Sequence, residues 1–166
     1  MKIVNPAKNE FIKELIEDTP NSIAEKFSLA KTGQIAWAKK SLKERLECIH
    51  NFLTALENNK QSLAQDLSNE VGKPLQEAIN EVNGAKNRIK FFLENSETWL
   101  TEKQVNEDGN TKEILGFDPL GVICNISAWN YPFLVGVNVF IPALIAGNAV
   151  LYKPSEFASL TGLNIA

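Results

Sequence analysis

Apolar residues recur at helical spacing through most of the first hundred positions of the chain. After Ser41 they follow one another at steps of four and three, which places them on one face of a helix while charged side chains point elsewhere. The residues on this face are Leu42, Leu46, Ile49, Leu53 and Leu56. A second run keeps helical spacing from Leu75 to about Trp99, with Gly84 as its weak point. The pattern predicts amphipathic helices that each pack one face against a core.

Two segments carry the sequence pattern of a helix start. Ser22-Ile23-Ala24-Glu25 and Ser41-Leu42-Lys43-Glu44 both match the capping box, in which a serine hydroxyl and a glutamate carboxylate satisfy free amides of the first turn. We therefore expect helices to begin at both segments. A further helix, from about residue 60 to 70, should end at Gly72, because glycine readily takes the left-handed conformation that ends helices. Pro74 then opens the next helix.

The pattern changes after Trp99 from helical spacing to short extended runs. Asp108-Gly109 lies near the centre of a polar stretch and predicts a β-hairpin at about 101–117. Residues 122–126 are mostly apolar and β-branched, as a buried strand would be. A helix at about 133–146 and a second strand at 149–153 follow, so this part predicts a βαβ crossover with parallel strands.

Composition and charge narrow the classes of function. The 166 residues suit one domain, and 44% hydrophobic with 22% charged residues is typical of a soluble globular protein. A net charge of -3 argues against nucleic-acid and anionic membrane partners, because both favour clustered Lys and Arg. The longest apolar run, Phe133 to Ala146, is shorter than the roughly 20 residues that span a bilayer. The polar N-terminus contains Pro6, so we expect no signal peptide and a cytoplasmic location.

Cysteine and histidine are too scarce for several familiar kinds of site. Cys48, Cys124 and His50 offer too few soft ligands for a zinc site, and two cysteines give no disulfide framework. His50 falls within a charged amphipathic helix and no Gly-x-Ser-x-Gly segment occurs, so we expect a surface histidine and no serine hydrolase. Cys124 lies in the middle of a predicted strand, where we expect a buried, inert thiol.

Two motifs follow or contain the two predicted strands. Ser127-Ala128-Trp129-Asn130-Tyr131-Pro132 comes after the first strand, and Gly147-Asn148-Ala149-Val150-Leu151-Tyr152-Lys153-Pro154-Ser155-Glu156 contains the second. This pair resembles the opening of the NAD-binding domain in the aldehyde dehydrogenase superfamily, and Glu70-Val71-Gly72-Lys73-Pro74 resembles a turn between early helices of that family. The resemblance implies an α/β fold, in which N-terminal helices precede a hairpin and the first βαβ unit of a Rossmann-like NAD-binding domain. Residues 1–166 would be the N-terminal portion of that domain.

The resemblance also implies an oligomer. In aldehyde dehydrogenases the region that matches 101–117 is part of an arm that pairs with a neighbouring subunit, so a homo-oligomer is expected. A plain surface hairpin is the alternative. An exposed two-stranded hairpin is only marginally stable alone, so some partner is physically sensible.

By the same resemblance, Asn130 is the oxyanion-hole residue of the active site. Its side-chain amide would donate to the substrate oxygen once a thiol has added to the aldehyde carbon. The residue type suits this chemistry, because a neutral, fixed donor stabilises developing negative charge, whereas a carboxylate would repel it. The alternative is that Asn130 caps the helix that begins near Pro132.

The resemblance assigns the cofactor groove to residues in both motifs. Lys153 and Glu156 would hydrogen-bond the hydroxyls of the adenosine ribose, and Ser127 and Trp129 would line the groove. Ile126 and Ser155 complete the expected set of cofactor-binding residues. The Glu156 carboxylate favours NAD, because it would repel a 2'-phosphate, with NADP left open. The alternatives are an exposed ion pair for Lys153 with Glu156 and a buried, loop-supporting role for Trp129.

The implied activity is NAD(P)-dependent oxidation of a small-molecule aldehyde to a carboxylic acid. That reaction needs a thiolate and a general base, which in the family lie in Gly-Gln-x-Cys and Glu-Leu-Gly-Gly-Lys contexts that do not occur here. Residues 160–166 stop in a mixed apolar segment, so we expect the polypeptide to continue, the catalytic domain to be absent and these 166 residues to be inactive alone. Two alternatives stay open: a noncatalytic binding or oligomerisation module, and an acylating or phosphate-reducing relative.

Overall fold

The computed structural model describes residues 1–166 and has a mixed α/β architecture. It contains six helices and six strands, and the strands form three short sheets of two strands each. In chain order the elements are β1 (Lys2–Asn5), β2 (Glu10–Glu14), α1 (Pro20–Ala38), α2 (Leu42–Asn58), α3 (Lys60–Val71), α4 (Leu75–Leu100), β3 (Lys103–Asp108), β4 (Thr111–Leu115), β5 (Val122–Ile126), α5 (Pro132–Ile145), β6 (Ala149–Lys153) and α6 (Ser159–Ile165).

The first fourteen residues form an antiparallel hairpin that the sequence pattern does not predict. β1 pairs with β2, and only Ile3 and Asn5 of the two strands are buried, so no clear alternation of apolar and polar residues marks them. The Asn5 side-chain oxygen accepts hydrogen bonds from the amides of Ala7 and Lys8 and shapes the turn. Asn9 completes the turn in the left-handed region, at φ 57°.

The prediction that a helix begins at Ser22 is wrong by two residues. α1 begins at Pro20 with Thr19 as its N-cap, and Ser22 occupies the third helical position, where it closes the capping box in place of a glutamate. Proline at the first helical position explains the earlier start, because its φ is already helical and it has no amide to satisfy. The prediction for Ser41 is confirmed, since its hydroxyl accepts from the Glu44 amide at the start of α2.

The predicted boundary between α3 and α4 is confirmed. α3 ends at Val71, Gly72 takes the left-handed conformation at φ 76°, and α4 begins directly after Pro74. A Cβ on Gly72 would lie 2.8 Å from Cγ of Pro6, so this turn is also tightly packed against the N-terminal hairpin. The turn therefore connects α3 to α4 and also contacts the N-terminal hairpin.

The core lies between α2, α3, α4 and α5. α5 is its central element, because it contacts α4 and α2 as well as both strands of the β5–β6 sheet. The buried apolar side chains are Ile49, Leu53 and Leu56 of α2, Leu63, Ala64 and Leu67 of α3, Ala78, Val82, Ala85 and Ile89 of α4, Phe133, Val137, Phe140, Ile141 and Ile145 of α5, and Ile165 of α6. The apolar face predicted for α2 therefore packs inward, while His50 is exposed as expected.

The predicted βαβ unit is present, with β5 and β6 paired in parallel and α5 between them. Ile126 lies opposite Lys153, and the amide of Ser127 continues the pairing by donating to the Lys153 carbonyl oxygen at 2.9 Å. The expectation of a buried Cys124 is wrong, because its side chain is exposed. Asn125 points towards α5 and donates to the Gly136 carbonyl oxygen, so the alternating neighbour Cys124 faces away from that helix.

The predicted hairpin is β3 with β4, and all its side chains are exposed. The strands turn at Gly109 and Asn110, next to the predicted Asp108-Gly109 signal. A register shift between Gln104 and Asn106 bends the ladder. Among the six helices, none has the length and hydropathy that a membrane crossing requires.

Candidate functional site

Two loops leave the same edge of the β5–β6 sheet. Because the strands are parallel, the segment after Ile126 and the segment after Lys153 start side by side at the carboxyl edge, where α/β folds bind their ligands. Trp129 of the first loop meets Phe157 of the second edge to face, with ring centroids 6.4 Å apart. Trp129 is 52% exposed, so the alternative of a buried, loop-supporting tryptophan is wrong.

A cavity of about 430 Å³ opens beside these two loops. Trp129, Glu156 and Phe157 form one wall, and the N-terminal hairpin with the end of α3 forms the other. The remaining lining residues are Lys2, Ile3, Val4, Pro6, Glu70 and Val71. The volume lies within the range of small-molecule sites, and the mixture of apolar walls with a few charged groups is typical of them. The sequence analysis missed the hairpin wall, because nothing in the pattern predicts β1 or β2.

The Asn130 side-chain amide is exposed and makes no hydrogen bond within the protein. The N-cap of α5 is Tyr131, and no side chain caps that helix from its own N-terminal flank. The amide of Phe133 is instead satisfied by the Glu81 carboxylate of α4, at 2.9 Å. Asn130 therefore does not cap α5, and its side-chain amide is free to bind a ligand.

Lys73 lies directly beneath the Asn130 loop. Its Nζ donates to the Asn130 carbonyl oxygen at 2.6 Å and to the Glu81 carboxylate, and it lies 4.1 Å from the centre of the Tyr131 ring. The Glu81 side chain is fully buried. Sequence reasoning missed both residues as part of the site. The available signal was the Glu70–Pro74 turn, which carries Lys73.

Glu70, near the end of α3, holds the helix that follows the second loop. Its carboxylate accepts hydrogen bonds from the backbone amides of Leu160 and Thr161 and from the Thr161 hydroxyl, each at 2.7 Å. These groups belong to the first turn of α6, a helix that the sequence analysis did not predict. The end of α3 and the turn after it thus contact both the Asn130 loop, through Lys73, and the first turn of α6, through Glu70.

Lys153 and Glu156 form an exposed ion pair at 3.3 Å, which is the arrangement the ion-pair alternative describes. The pKa of Glu156 is lowered, first by a hydrogen bond from its own backbone amide and then by Lys153. Its carboxylate is therefore charged at neutral pH. An exposed ion pair of this kind contributes little to stability. The two side chains can therefore separate and bind ligand hydroxyls with only a small loss of free energy.

The other predicted cofactor residues divide into exposed and buried groups. Ile126 is exposed at the end of β5, whereas Ser127 and Ser155 are buried. The Ser155 hydroxyl accepts from the Phe157 amide at 3.3 Å and shapes its own loop. The Ser127 hydroxyl has no hydrogen-bond partner of ordinary geometry, and neither has the hydroxyl of Tyr152. Burial raises the pKa of Tyr152, and the nearby Ser127 hydroxyl opposes this in part.

Comparison with known proteins settles the family. All 166 residues match the sequence model of the aldehyde dehydrogenase family. The chain belongs to this family. It is similar to the 3,6-anhydro-α-L-galactose dehydrogenase of Vibrio sp. (strain EJY3), at 29% identity over 168 residues that cover 99% of this chain and 34% of that protein. The chain spans about a third of the length of the curated aldehyde dehydrogenases it matches.

Solved structures of the family share the fold of this chain. An aldehyde dehydrogenase from Brucella melitensis biovar abortus 2308 superposes with a TM-score of 0.93 at 27% identity, covering 99% of this chain and 34% of that one. The NADP-dependent glyceraldehyde-3-phosphate dehydrogenase of Bacillus halodurans C-125, solved with NADP, gives 0.92 at 25% identity, covering 99% and 36%. The likeness confirms the predicted α/β class and the start of a Rossmann-like NAD-binding domain.

Several exposed groups at the carboxyl edge have the chemistry that a nicotinamide dinucleotide requires. Lys153 and Glu156 offer a donor and a charged acceptor for hydroxyl groups, and both are exposed. Trp129 and Ile126 add exposed apolar surface next to them, and a cavity begins at Trp129 and Glu156. Ser127 and Ser155 fit less directly, because both are buried and Ser155 is engaged in its own loop.

Proposed function

We propose that residues 1–166 are the N-terminal part of the NAD-binding domain of an aldehyde dehydrogenase that oxidises a small-molecule aldehyde to a carboxylic acid with NAD(P). This chain would supply part of the cofactor groove and the oxyanion donor. The thiol and the base would come from sequence beyond these residues, so the chain alone should be inactive. The observation that carries the proposal is the free amide of Asn130, exposed at the carboxyl edge of the parallel strands beside Trp129.

The proposed role of Asn130 is to donate a hydrogen bond to the oxygen that becomes negative when a thiolate adds to the aldehyde. Its amide meets the requirements of such a donor, because it is neutral and makes no hydrogen bond to the protein that a substrate would have to break. The backbone beside it is fixed by Lys73. A donor held in place before the reaction begins stabilises the developing charge without a cost of reorganisation.

The proposed cofactor is NAD, with NADP left open. When bound, this cofactor would supply the hydride acceptor of the oxidation, and the residues of this chain would hold it. Glu156 would accept hydrogen bonds from the ribose hydroxyls, with Lys153 as the neighbouring donor, while Trp129, Ile126 and Ser127 would line the groove and Ser155 would shape it. The charge on Glu156 favours NAD, while Lys153 offers a partner for a 2'-phosphate, and one similar structure was solved with NADP.

Replacing Asn130 with alanine in the complete enzyme tests this proposal. We expect turnover to fall by about 10² to 10³, the usual cost of losing one oxyanion donor, while the Kd for NAD stays nearly constant. Asn51 is exposed on the outer face of α2, so Asn51→Ala is the matched control and should leave turnover unchanged. If Asn130→Ala turns over as fast as the wild type, the role assigned to Asn130 is wrong.

A second candidate function is that of a noncatalytic binding or oligomerisation module. The observation that favours it is the β3–β4 hairpin, which exposes Val105, Ile114 and Leu115. We propose that this hairpin pairs with a second copy of the chain in a homo-oligomer. Light scattering on the isolated chain separates the two candidates, because a stable, discrete oligomer favours the module and polydisperse material favours a part of a larger enzyme.

The two free cysteines fit the proposed cytoplasmic location.

A further inference from the structure

We propose that Lys73 is a positioning residue for the active site, which fixes the backbone of the loop that carries Asn130 and is itself anchored by Glu81. The inference rests on the proposed oxyanion role of Asn130. We assign Lys73 no direct contact with the substrate. It acts through the peptide group of Asn130 and through Tyr131.

The contacts of Lys73 converge on one short segment. Its Nζ donates to the Asn130 carbonyl oxygen at 2.6 Å and lies over the Tyr131 ring at 4.1 Å, so two consecutive residues of the loop are held by one ammonium group. The side chain of Lys73 is only 14% exposed. The Asn130 carbonyl oxygen lies at the surface, but a hydrogen bond from a charged donor is stronger than one between neutral groups, so this contact restrains the loop.

Glu81 explains why the ammonium group stays in this position. One oxygen of its fully buried carboxylate accepts from Lys73, and the other accepts from the Phe133 amide in the first turn of α5. A buried carboxylate without its cation would destabilise the fold, so Glu81 and Lys73 each require the other. Glu81 therefore ties Lys73 and the start of α5 to the same point of α4.

The backbone around Lys73 is fixed as well. Gly72 adopts φ 76° and packs against Pro6, and the Lys73 carbonyl oxygen accepts from the Ser68 hydroxyl at 2.7 Å. The base of the lysine therefore has little freedom. Within residues 70–74, Lys73 therefore binds the Asn130 loop and Glu70 binds the first turn of α6.

Loss of Lys73 should affect chemistry more than cofactor binding. Without the ammonium group, the Asn130 peptide can rotate and its side-chain amide no longer has a fixed direction, which reduces the advantage of preorganisation. Lys153 is the last residue of β6 and Glu156 follows it, and neither of them contacts Lys73. We therefore expect kcat to fall with little change in the KM for NAD.

The test uses the complete enzyme and the variants Lys73→Met, Lys73→Gln and Lys73→Arg. Methionine and glutamine should each lower kcat by about 10- to 100-fold, since small misplacements of a catalytic group have costs of that order. Arginine keeps the charge and should recover part of the loss. Lys86→Met is the matched control, because Lys86 of α4 is as shielded as Lys73 but pairs with Glu57 of α2 and makes no hydrogen bond to this loop. It should lower thermal stability without lowering kcat.

Coupling to Asn130 separates a positioning role from a merely structural one. In an Asn130→Ala background, Lys73→Met should lower kcat by no more than about 3-fold, because the group it positions is already gone. Additive effects, or an unchanged kcat in both Lys73→Met and Lys73→Gln, would overturn the inference while leaving the role of Asn130 intact. An unchanged kcat in Asn130→Ala alone would overturn the proposed function together with this inference. If Lys73→Met does not fold, Lys73→Gln takes its place in the cycle.

Discussion

Replacing Glu70 with alanine should loosen α6 and the loop before it. The Glu70 carboxylate accepts three hydrogen bonds at 2.7 Å, from the amides of Leu160 and Thr161 and from the Thr161 hydroxyl. Alanine leaves all three donors without this acceptor, and Thr161 is almost fully buried. The substitution therefore removes the main polar contact between α3 and the start of α6.

The size of the effect follows from the number and type of these hydrogen bonds. A hydrogen bond to a charged group contributes about 1.5–3 kcal/mol, but three bonds that share one carboxylate do not add. α6 has only seven residues and can fray, which lets its first amides reach water and limits the loss. We expect the free energy of unfolding to fall by about 2–4 kcal/mol.

Urea unfolding followed by circular dichroism measures this change. Asp66→Ala is the matched control, because Asp66 joins the same two helices through an exposed hydrogen bond to Asn164 at 2.8 Å and should contribute less than about 1 kcal/mol. A Glu70→Ala variant within about 0.5 kcal/mol of the wild type, or one no less stable than Asp66→Ala, would refute the reasoning. Since Glu156 lies just before α6, Glu70→Ala should also raise the Kd for NAD.

Two further predictions concern Ser41 and Glu156. Ser41→Ala should lower the free energy of unfolding by about 1 kcal/mol, because it removes an N-cap. The Ser41 hydrogen bonds lower the pKa of Glu44, so the part of the difference that comes from the Glu44 carboxylate should be present at neutral pH and be lost as the pH falls through the lowered pKa, while the part from the Glu44 amide remains; urea titrations that show an equal difference in strong acid would contradict it. Glu156→Gln should weaken NAD more than NADP, and an unchanged ratio of kcat/KM for the two cofactors would speak against the ribose contact. Because its own amide and then Lys153 lower the Glu156 pKa, wild-type affinity for NAD should hold until the pH falls below the range of an ordinary glutamate.

Local sequence signals account for much of the fold. The apolar face of α2, the glycine that ends α3, the β3–β4 hairpin and the strands of the βαβ unit all depend on spacing or on a backbone conformation that one residue type favours. The β1–β2 hairpin and α6 are not predicted from local signals, because their burial depends on contacts with residues that are distant in the sequence. α6, for example, depends on Glu70, which lies 90 residues earlier than Leu160.

The candidate site divides in the same way. Asn130, Trp129, Lys153 and Glu156 follow strands directly, so a motif and a topology are enough to bring them to one edge. Glu81 is invisible to periodicity, because a carboxylate within an amphipathic helix is expected on the wet face, whereas tertiary contacts bury it beneath the Asn130 loop. Cys124 shows the opposite error, because the sequence predicts a buried side chain and the structure has an exposed one. The face of β5 turned away from α5 is open at that position.

The central claim is that Asn130 supplies a neutral hydrogen bond to a developing negative charge. Steady-state kcat of the complete enzyme with Asn130 replaced by alanine and by aspartate tests it most directly, because alanine removes the donor and aspartate adds a repelling charge of nearly the same shape. We expect both variants to be slow, by about 10² or more for alanine, and the aspartate variant to be slower than the alanine variant at neutral pH. An aspartate variant that retains wild-type turnover would contradict it.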